Sequence, residues 1–268
     1  MKLDVLDIVF FSPTGTTRTI LEEIAKGIGA EKISQFDLTL PEVKNKNLSQ
    51  NEHDLTLIGV PVYAGRVPME AVDRLQKIEG NSSLAVIVVV YGNRDFDDAL
   101  LELRDLAVQR GFIPMAAAAF IGEHSFSTEE KPIAPGRPDK KDQKQARDFG
   151  TSIYEKLKKI NQPNECFSIS VPGNYPYREY HDTSQCPPVT YAQECNLCGA
   201  CVDVCPTGAI AINDDTLITN DELCIACCAC VKSCPSNARI MEDEKILQIN
   251  QKLYDNFSER KNPQVFLG

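Results

Sequence analysis

The sequence has no run of 18 apolar residues, so nothing in it reads as a helix able to cross a bilayer. It has no surplus of basic residues either: 28 Lys and Arg stand against 38 Asp and Glu, a net charge of −10. That balance argues against nucleic-acid binding, which calls for a concentrated basic face. The amino terminus, Met1-Lys2-Leu3-Asp4, is acidic early and shows no apolar core of a secretory signal. The expectation is a soluble, cytosolic protein without a membrane span. Cysteine is absent from residues 1–160, yet the chain holds 11 of them. A chain of 268 residues has room for one large and one small domain, and cysteine usage divides it that way.

Eight of the 11 cysteines form two copies of one run. The first is Cys195-x2-Cys198-x2-Cys201-x3-Cys205-Pro206, and the second is Cys224-x2-Cys227-x2-Cys230-x3-Cys234-Pro235. Residues 195–211 align with 224–240 at an offset of 29. A zinc ribbon needs two C-x2-C pairs for one ion, without a third cysteine or a Cys-Pro ending in each run. A disulfide framework suits short secreted chains, and a thioredoxin-like pair uses a single C-x-x-C.

The double run resembles the ligand signature of bacterial two-cluster ferredoxins. That resemblance implies a small α+β domain over 188–242 with pseudo-twofold symmetry and two [4Fe–4S] clusters. It also implies crossed ligation: Cys195, Cys198, Cys201 and Cys234 on one cluster, Cys224, Cys227, Cys230 and Cys205 on the other. Cys228 stands where the first copy has Gly199. It reads as a small residue replacing glycine, or as an alternative ligand during cluster loss or repair. Cys166 and Cys186 read as small apolar residues. Residues 186–244 hold nine acids and two bases. Such a surface would steer redox partner proteins with basic docking patches, at salt-dependent rates; plain solubility is the alternative use of the same charge.

The first 160 residues have an α/β rhythm. Strands are predicted over 3–11, 32–38, 54–60, 84–90 and 112–121, and helices over 16–28, 68–78, 97–110 and 140–160. Alternation of this kind implies a parallel sheet covered on both faces. Ligands of such sheets bind at the carboxyl ends of the strands, near the topological switch point. After the first strand comes Ser12-Pro13-Thr14-Gly15-Thr16-Thr17, hydroxyls and a glycine at a helix start, where amides and the helix dipole can hold a phosphate. A capped turn is the plainer reading. The loop lacks the G-K-[ST] ending of a nucleoside triphosphate site and the G-x-G-x-x-G dinucleotide fingerprint. Two further loops, Pro61-Val62-Tyr63-Ala64-Gly65-Arg66 and Tyr91-Gly92-Asn93-Arg94-Asp95-Phe96-Asp97-Asp98, offer glycine, aromatics and hydrogen-bonding groups for a flat ring.

On these three loops, residues 1–160 resemble a flavodoxin, with S-x-T-G-x-T as the most specific match. The resemblance implies a doubly wound five-stranded parallel sheet and FMN. Its phosphate would sit on Ser12, Thr14, Gly15, Thr16 and Thr17, and its ring between 61–66 and 91–98, with Tyr63 and Phe96 as candidates for ring contact. The third loop departs from the usual flavodoxin sequence. The whole chain resembles the flavodoxin–ferredoxin fusion proteins of anaerobic prokaryotes, whose implied role is electron transfer.

Three segments lie outside both modules. Residues 122–139 form a polar loop that could cover the flavin or touch the ferredoxin part, with His124 its most notable residue. Residues 161–187 read as an extended, packed linker. Residues 243–268 read as a C-terminal helix and tail, with Ile246, Ile249 and Leu253 suited to packing back on the body. Three functions fit: a relay between FMN and the clusters, a flavin-dependent reductase of a small substrate fed by the clusters, and a redox-sensing binding module. No catalytic acid–base pair is evident. Negative charge from Asp95, Asp97 or Asp98 beside the flavin would disfavour its anionic reduced form and lower its potential.

Overall fold

The computed structural model describes residues 3, 5–42, 48–49, 55–160, 169–180 and 186–268. Cys166, the earlier part of the linker and the strand end predicted at Asp54 lie outside these. In the first domain, β1 (Val5–Phe10), α1 (Thr16–Ile28), β2 (Lys32–Asp37), a two-residue β3 (Leu48–Ser49) and β4 (Leu55–Pro61) come first. They are followed by α2 (Met69–Leu75), a two-residue β5 (Ile78–Glu79), β6 (Leu84–Tyr91), α3 (Ala99–Gln109), β7 (Ile113–Ile121) and α4 (Lys140–Leu157).

The parallel strands lie in the order β2-β1-β4-β6-β7. Counting the five main strands along the chain, this is the flavodoxin-like doubly wound order. Strands β4 and β6 are buried along their whole length because their side chains are apolar on both faces. The two-residue period then sorts them into two cores. Val9, Ile58, Ile87 and Ala117 pack with α2 and α3. Ile8, Leu57, Val88 and Ala118 pack with α1 and α4. Helices α1 and α4 approach so closely that a Cβ on Gly27 would lie 2.0 Å from the Arg147 carbonyl oxygen, and one on Gly150 2.1 Å from that of Ile24.

The second unit is built from β8 (Val189–Thr190), α5 (Ala200–Asp203), β9 (Ile210–Asn213), β10 (Thr216–Thr219), α6 (Ala229–Lys232) and β11 (Arg239–Ile240). Strand β8 pairs with β11 and β9 with β10, both antiparallel. The tail then returns to the first domain through α7 (Glu244–Phe257) and β12 (Gln264–Phe266). Strand β12 adds antiparallel to β7, so the sheet has six strands where five were expected. Three residues of tail carry no readable strand period; their conformation is set by the open edge of β7, which they close. Arg260 ties the same tail to Asp139 and Asp142 at 2.6 and 3.1 Å.

Residues 169–180 of the linker form neither helix nor strand. They are packed along α3 instead: the Asn174 and Arg178 amides each donate to Asp98 at 2.7 Å, and the Tyr177 hydroxyl donates to Asp105 at 2.7 Å.

Gly150→Ala places a methyl against a backbone oxygen that cannot turn aside. The clash outweighs the gain of about 1 kcal/mol in helix propensity, and a net loss of about 1–3 kcal/mol is expected. Thermal unfolding should then fall by about 2–4 °C per kcal/mol lost. An unchanged midpoint would show that α1 and α4 separate freely.

Candidate functional site

The carboxyl ends of the central strands open on a cavity of about 710 Å³, a volume suited to a cofactor or small ligand. It stands at the switch point between β1 and β4. Thr14 and Thr16 line it from the first loop, Pro61, Val62, Tyr63, Ala64 and Gly65 from the second, and Tyr91, Gly92, Arg94 and Asp95 from the third.

Ser12, Gly15, Thr17, Asn93 and Phe96 do not line this cavity, for separate physical reasons. The Ser12 hydroxyl accepts from the Arg18 amide at 3.1 Å and so braces the loop from inside. Gly15 precedes α1 with φ +80° and supplies no side-chain cap. Ser12 thus takes the third amide of α1, and Gly15 brings no side chain to the two before it, which lie beside the Thr14 and Thr16 hydroxyls, an arrangement that fits an anion. Thr17 is fully buried and its Oγ1 has no partner among the described residues. The Asn93 amide turns to the tail, donating to the Phe257 and Glu259 carbonyls at 2.5 and 2.8 Å. Phe96 is 4% exposed and packs on Tyr91 with ring centroids 5.5 Å apart. Of the two aromatics expected at the ring, Phe96 belongs to the core and Tyr63 to the cavity wall.

Of the remaining walls, the sequence offered only the 122–139 loop as a cover for the flavin. Glu123, His124, Ser125 and Phe126 come from the loop after β7, Arg178 from the linker, Ile225 and Ala226 from the second cysteine run, and Lys245, Ile249, Lys252 and Leu253 from α7. The amphipathic period of α7 showed that it packs on something. Nothing local in Arg178 or Ile225 indicated a cavity. His124 Nδ1 accepts from the Phe126 amide at 3.0 Å, so the neutral ring carries its proton on Nε2. Burial, reinforced by Lys232 and Arg94, pushes its pKa down to about 4, which keeps the ring neutral at neutral pH.

The expected acidic environment is corrected by the ion pairs. Asp97 is held by Arg94 and by Arg178, the latter at 2.5 Å. Burial would raise the Asp98 carboxyl, but the Arg178 and Asn174 amides hold it below the usual range. Of the three carboxylates, only Asp95 lines the cavity, whereas Arg94, Arg178, Lys245 and Lys252 all do. With Glu123 also on the wall, the lining is mixed in charge and not the acidic environment expected.

The second unit repeats its backbone at the same offset of 29 as its sequence. Left-handed residues recur in pairs: Leu197 and Ala226 (φ 55° and 50°), Gly199 and Cys228 (80° and 58°), Gly208 and Asn237 (69° and 54°). Two small cavities follow from this symmetry. One is lined by Cys195, Cys198, Cys201 and Cys234. The other is lined by Cys205, Cys224, Cys227 and Cys230, together with Cys228. Each gathers three cysteines of one run and the last of the other. None of these thiols is in a disulfide. No group of three or more His, Cys, Asp or Glu side chains among the described residues is gathered tightly around one ion; a four-iron cubane presents separate corners and takes its thiolates around a volume. The donor chemistry fits such a cluster. Burial raises the Cys201, Cys224, Cys227 and Cys230 thiols above their ordinary value, so thiolates there need a compensating metal charge.

The two units meet at the second run and at the end of the first. Ile225 lines both the large cavity and the cavity of Cys224, Cys227 and Cys230. Arg74 of α2 is 1% exposed and donates to the Leu38 and Thr39 carbonyls at 2.6 Å and to the Pro206 carbonyl at 2.5 Å. Lys232 pairs with Glu123 at 2.7 Å. Burial, and then Cys227 and Cys228, hold the Tyr63 phenol well above its ordinary pKa, which puts this ring beside the second run.

Comparison with known proteins agrees with the second unit. The family model of the 4Fe-4S binding domain matches residues 188–211 and 217–240. A probable ferredoxin of Methanosarcina thermophila is 57% identical over 28 residues, which are 10% of this chain and 48% of that protein; the match thus spans about half of the relative's length. Among solved structures, a flavodoxin from the domain Archaea is 17% identical, with a TM-score of 0.39, over 57% of this chain and 99% of the other. A Fusobacterium nucleatum flavodoxin bound to flavin mononucleotide is 16% identical, with a TM-score of 0.36, over 59% and 98%. The flavodoxin-like assignment of the first domain rests on its own strand order. The chain thus joins a flavodoxin-like α/β domain to a pair of 4Fe-4S binding units. Among the described residues no helix is long and apolar enough to cross a membrane.

Cys228 is 2% exposed and its thiol is pushed up to about 12 by burial. It holds the left-handed position that glycine holds in the first copy. Cys228→Gly removes a backbone strain of about 1–2 kcal/mol and loses buried side-chain contact of roughly 1 kcal/mol. Iron and acid-labile sulfide should stay at the level of the unsubstituted protein, with stability changed by about 1 kcal/mol or less. A drop in iron content would identify Cys228 as a ligand.

Proposed function

We propose that this protein is an electron carrier in which FMN occupies the large cavity and two [4Fe–4S] clusters, ligated across the repeat, connect it to the surface. The observation that supports this most is the shared wall at Ile225, which belongs to both the large cavity and the second cysteine cavity. The inner cluster would use Cys224, Cys227, Cys230 and Cys205. The outer one would use Cys195, Cys198, Cys201 and Cys234, and Cys198 is exposed. When bound, the flavin handles electrons singly or in pairs and each cluster handles one at a time, so the set interconverts the two kinds of chemistry.

The chain's own part is positioning. Thr14, Thr16 and the first amides of α1 hold the phosphate. Tyr63, Ala64, Gly65, Tyr91 and Gly92 bound the ring, and His124 offers a neutral donor beside it. Arg94, Arg178, Lys245 and Lys252 balance the negative charge of the reduced ring. Ile249 and Leu253 of α7 exclude water from the wall that the first domain leaves open. The nine acids of 186–244 would receive a basic patch on a one-electron redox protein. A chain with this many unpaired thiols suits the reducing cytosol. We divide it into a flavin domain (1–160), a linker (161–187), a cluster domain (188–242) and a closing tail (243–268) that serves the first domain.

This reading is preferred to a reductase because α7 and the second run occupy the approach to the cavity. An anaerobic titration followed by visible and EPR spectra should count one flavin and two clusters. Cys198→Ala, which removes an outer ligand, should slow flavin reduction by a one-electron protein donor at least about tenfold, and in the unsubstituted protein that rate should fall as salt rises. Flavin reduced equally fast in the variant, or fast turnover of quinones with the clusters idle, would sink the carrier reading.

A further inference from the structure

One buried departure from the repeat places a charge in the interior. Arg239 of β11 aligns with Ile210 of the first copy at the offset of 29. Ile210 is an ordinary core residue, packed with Cys201, Cys205 and Cys230. Arg239 is 2% exposed. A guanidinium in such a place is costly unless an anion compensates it, and among the described residues no carboxylate pairs with it. Its Nη1 donates to the Thr190 and Thr219 hydroxyls at 2.8 and 2.9 Å. Its Nη2 donates to the Cys230 sulfur at 3.6 Å. Its Nε, also buried, has no partner. The side chain lines both cysteine cavities, so it stands between them.

We propose that Arg239 is a built-in counter-charge that holds the inner cluster at a usable reduction potential, so that an electron entering at the outer cluster can pass inward to the flavin. Burial of Cys205, Cys227 and Cys230, each no more than 8% exposed, would by itself lower the inner potential, because a reduced cluster carries one more negative charge into a poorly solvated site. A fixed cation beside a ligand sulfur, and a hydrogen bond to that sulfur, both favour the reduced state. The bond goes to Cys230, so the inner cluster receives both effects and the outer only the charge. In the loaded protein, one electron taken from an external one-electron protein donor would pass from the outer cysteine site to the inner one and on to the flavin, each centre being reoxidised as the next is reduced.

The inference rests on the crossed ligation proposed above, and its test separates the two. EPR-monitored titrations of the holoprotein, of Arg239→Gln and of Arg239→Lys would be run beside iron and sulfide analysis. Cluster content tests the ligation; the midpoints test the arginine. With both clusters present, Arg239→Gln should lower the inner midpoint by a tenfold shift in its equilibrium, about 59 mV for one electron, and the outer midpoint by less. Arg239→Lys keeps the cation and should move the inner midpoint by under half as much. Wild-type midpoints in a fully loaded Arg239→Gln protein would overturn the proposal. So would a lysine variant that falls as far as the glutamine variant, or an outer midpoint that moves more than the inner.

Discussion

The C-terminal unit has little interior apart from its own cysteines. Its core gathers Cys201, Cys205 and Cys230 with Ala209 and Ile210, too little apolar surface to hold some fifty residues by itself. The Cys201 and Cys230 thiols are buried where a bare thiolate would be unfavourable. Metal ligation resolves both problems together, since it supplies the missing core and the missing positive charge. Because each small cavity takes its fourth cysteine from the opposite run, filling one cavity would order a segment of the other half. Folding of the unit and assembly of its clusters are then one event.

The same unit serves as a wall of the first domain. A doubly wound sheet leaves a crevice at its switch point, and here Ile225 and Ala226, between Cys224 and Cys227 of the second run, line it. Two buried contacts fix that placement. The Arg74 guanidinium joins the loop after β2 to the Pro206 carbonyl, and Ile225 packs against the first domain's own core. Fusing the two modules raises the concentration of each at the other, but tethering alone would leave their orientation free. The contacts set the orientation.

What could be read from the sequence follows from how local each signal is. The double cysteine run fixes its ligands at short spacing, and left-handed pairs such as Gly199 and Cys228 arise in the same few residues. Strands β4 and β6 were legible because both faces are apolar. The loop 12–17 could be placed at the mouth of the sheet because it adjoins a helix start. Long-range features were not. Gln264–Phe266 becomes a strand only against β7. Asp97 reads as a free acid beside a ring until Arg178, some eighty positions later, is found on it. Asn93 and Phe96 sit in the right loop, but their side chains answer to the tail and the core. The direction of each side chain was set by partners far along the chain.

That redirection of Asn93 bears on how electrons can enter. The Asn93 amide holds the chain at Phe257 and Glu259, where α7 ends. At mid-helix, Asn250 donates to the Phe126 carbonyl in the loop after β7. Beyond the helix, Lys261 reaches the Arg94 carbonyl and β12 locks into the sheet. The cover over the cavity is thus fastened along its length and at its far end. Its near end leads directly from β11, where Arg239 lies between the two cysteine cavities. A cover held in this way does not need to open for single electrons, which require closeness and not contact with solvent. It would have to open for a bulky substrate. The fold therefore favours the proposed traffic through the cysteine runs, which reach the surface at Cys198.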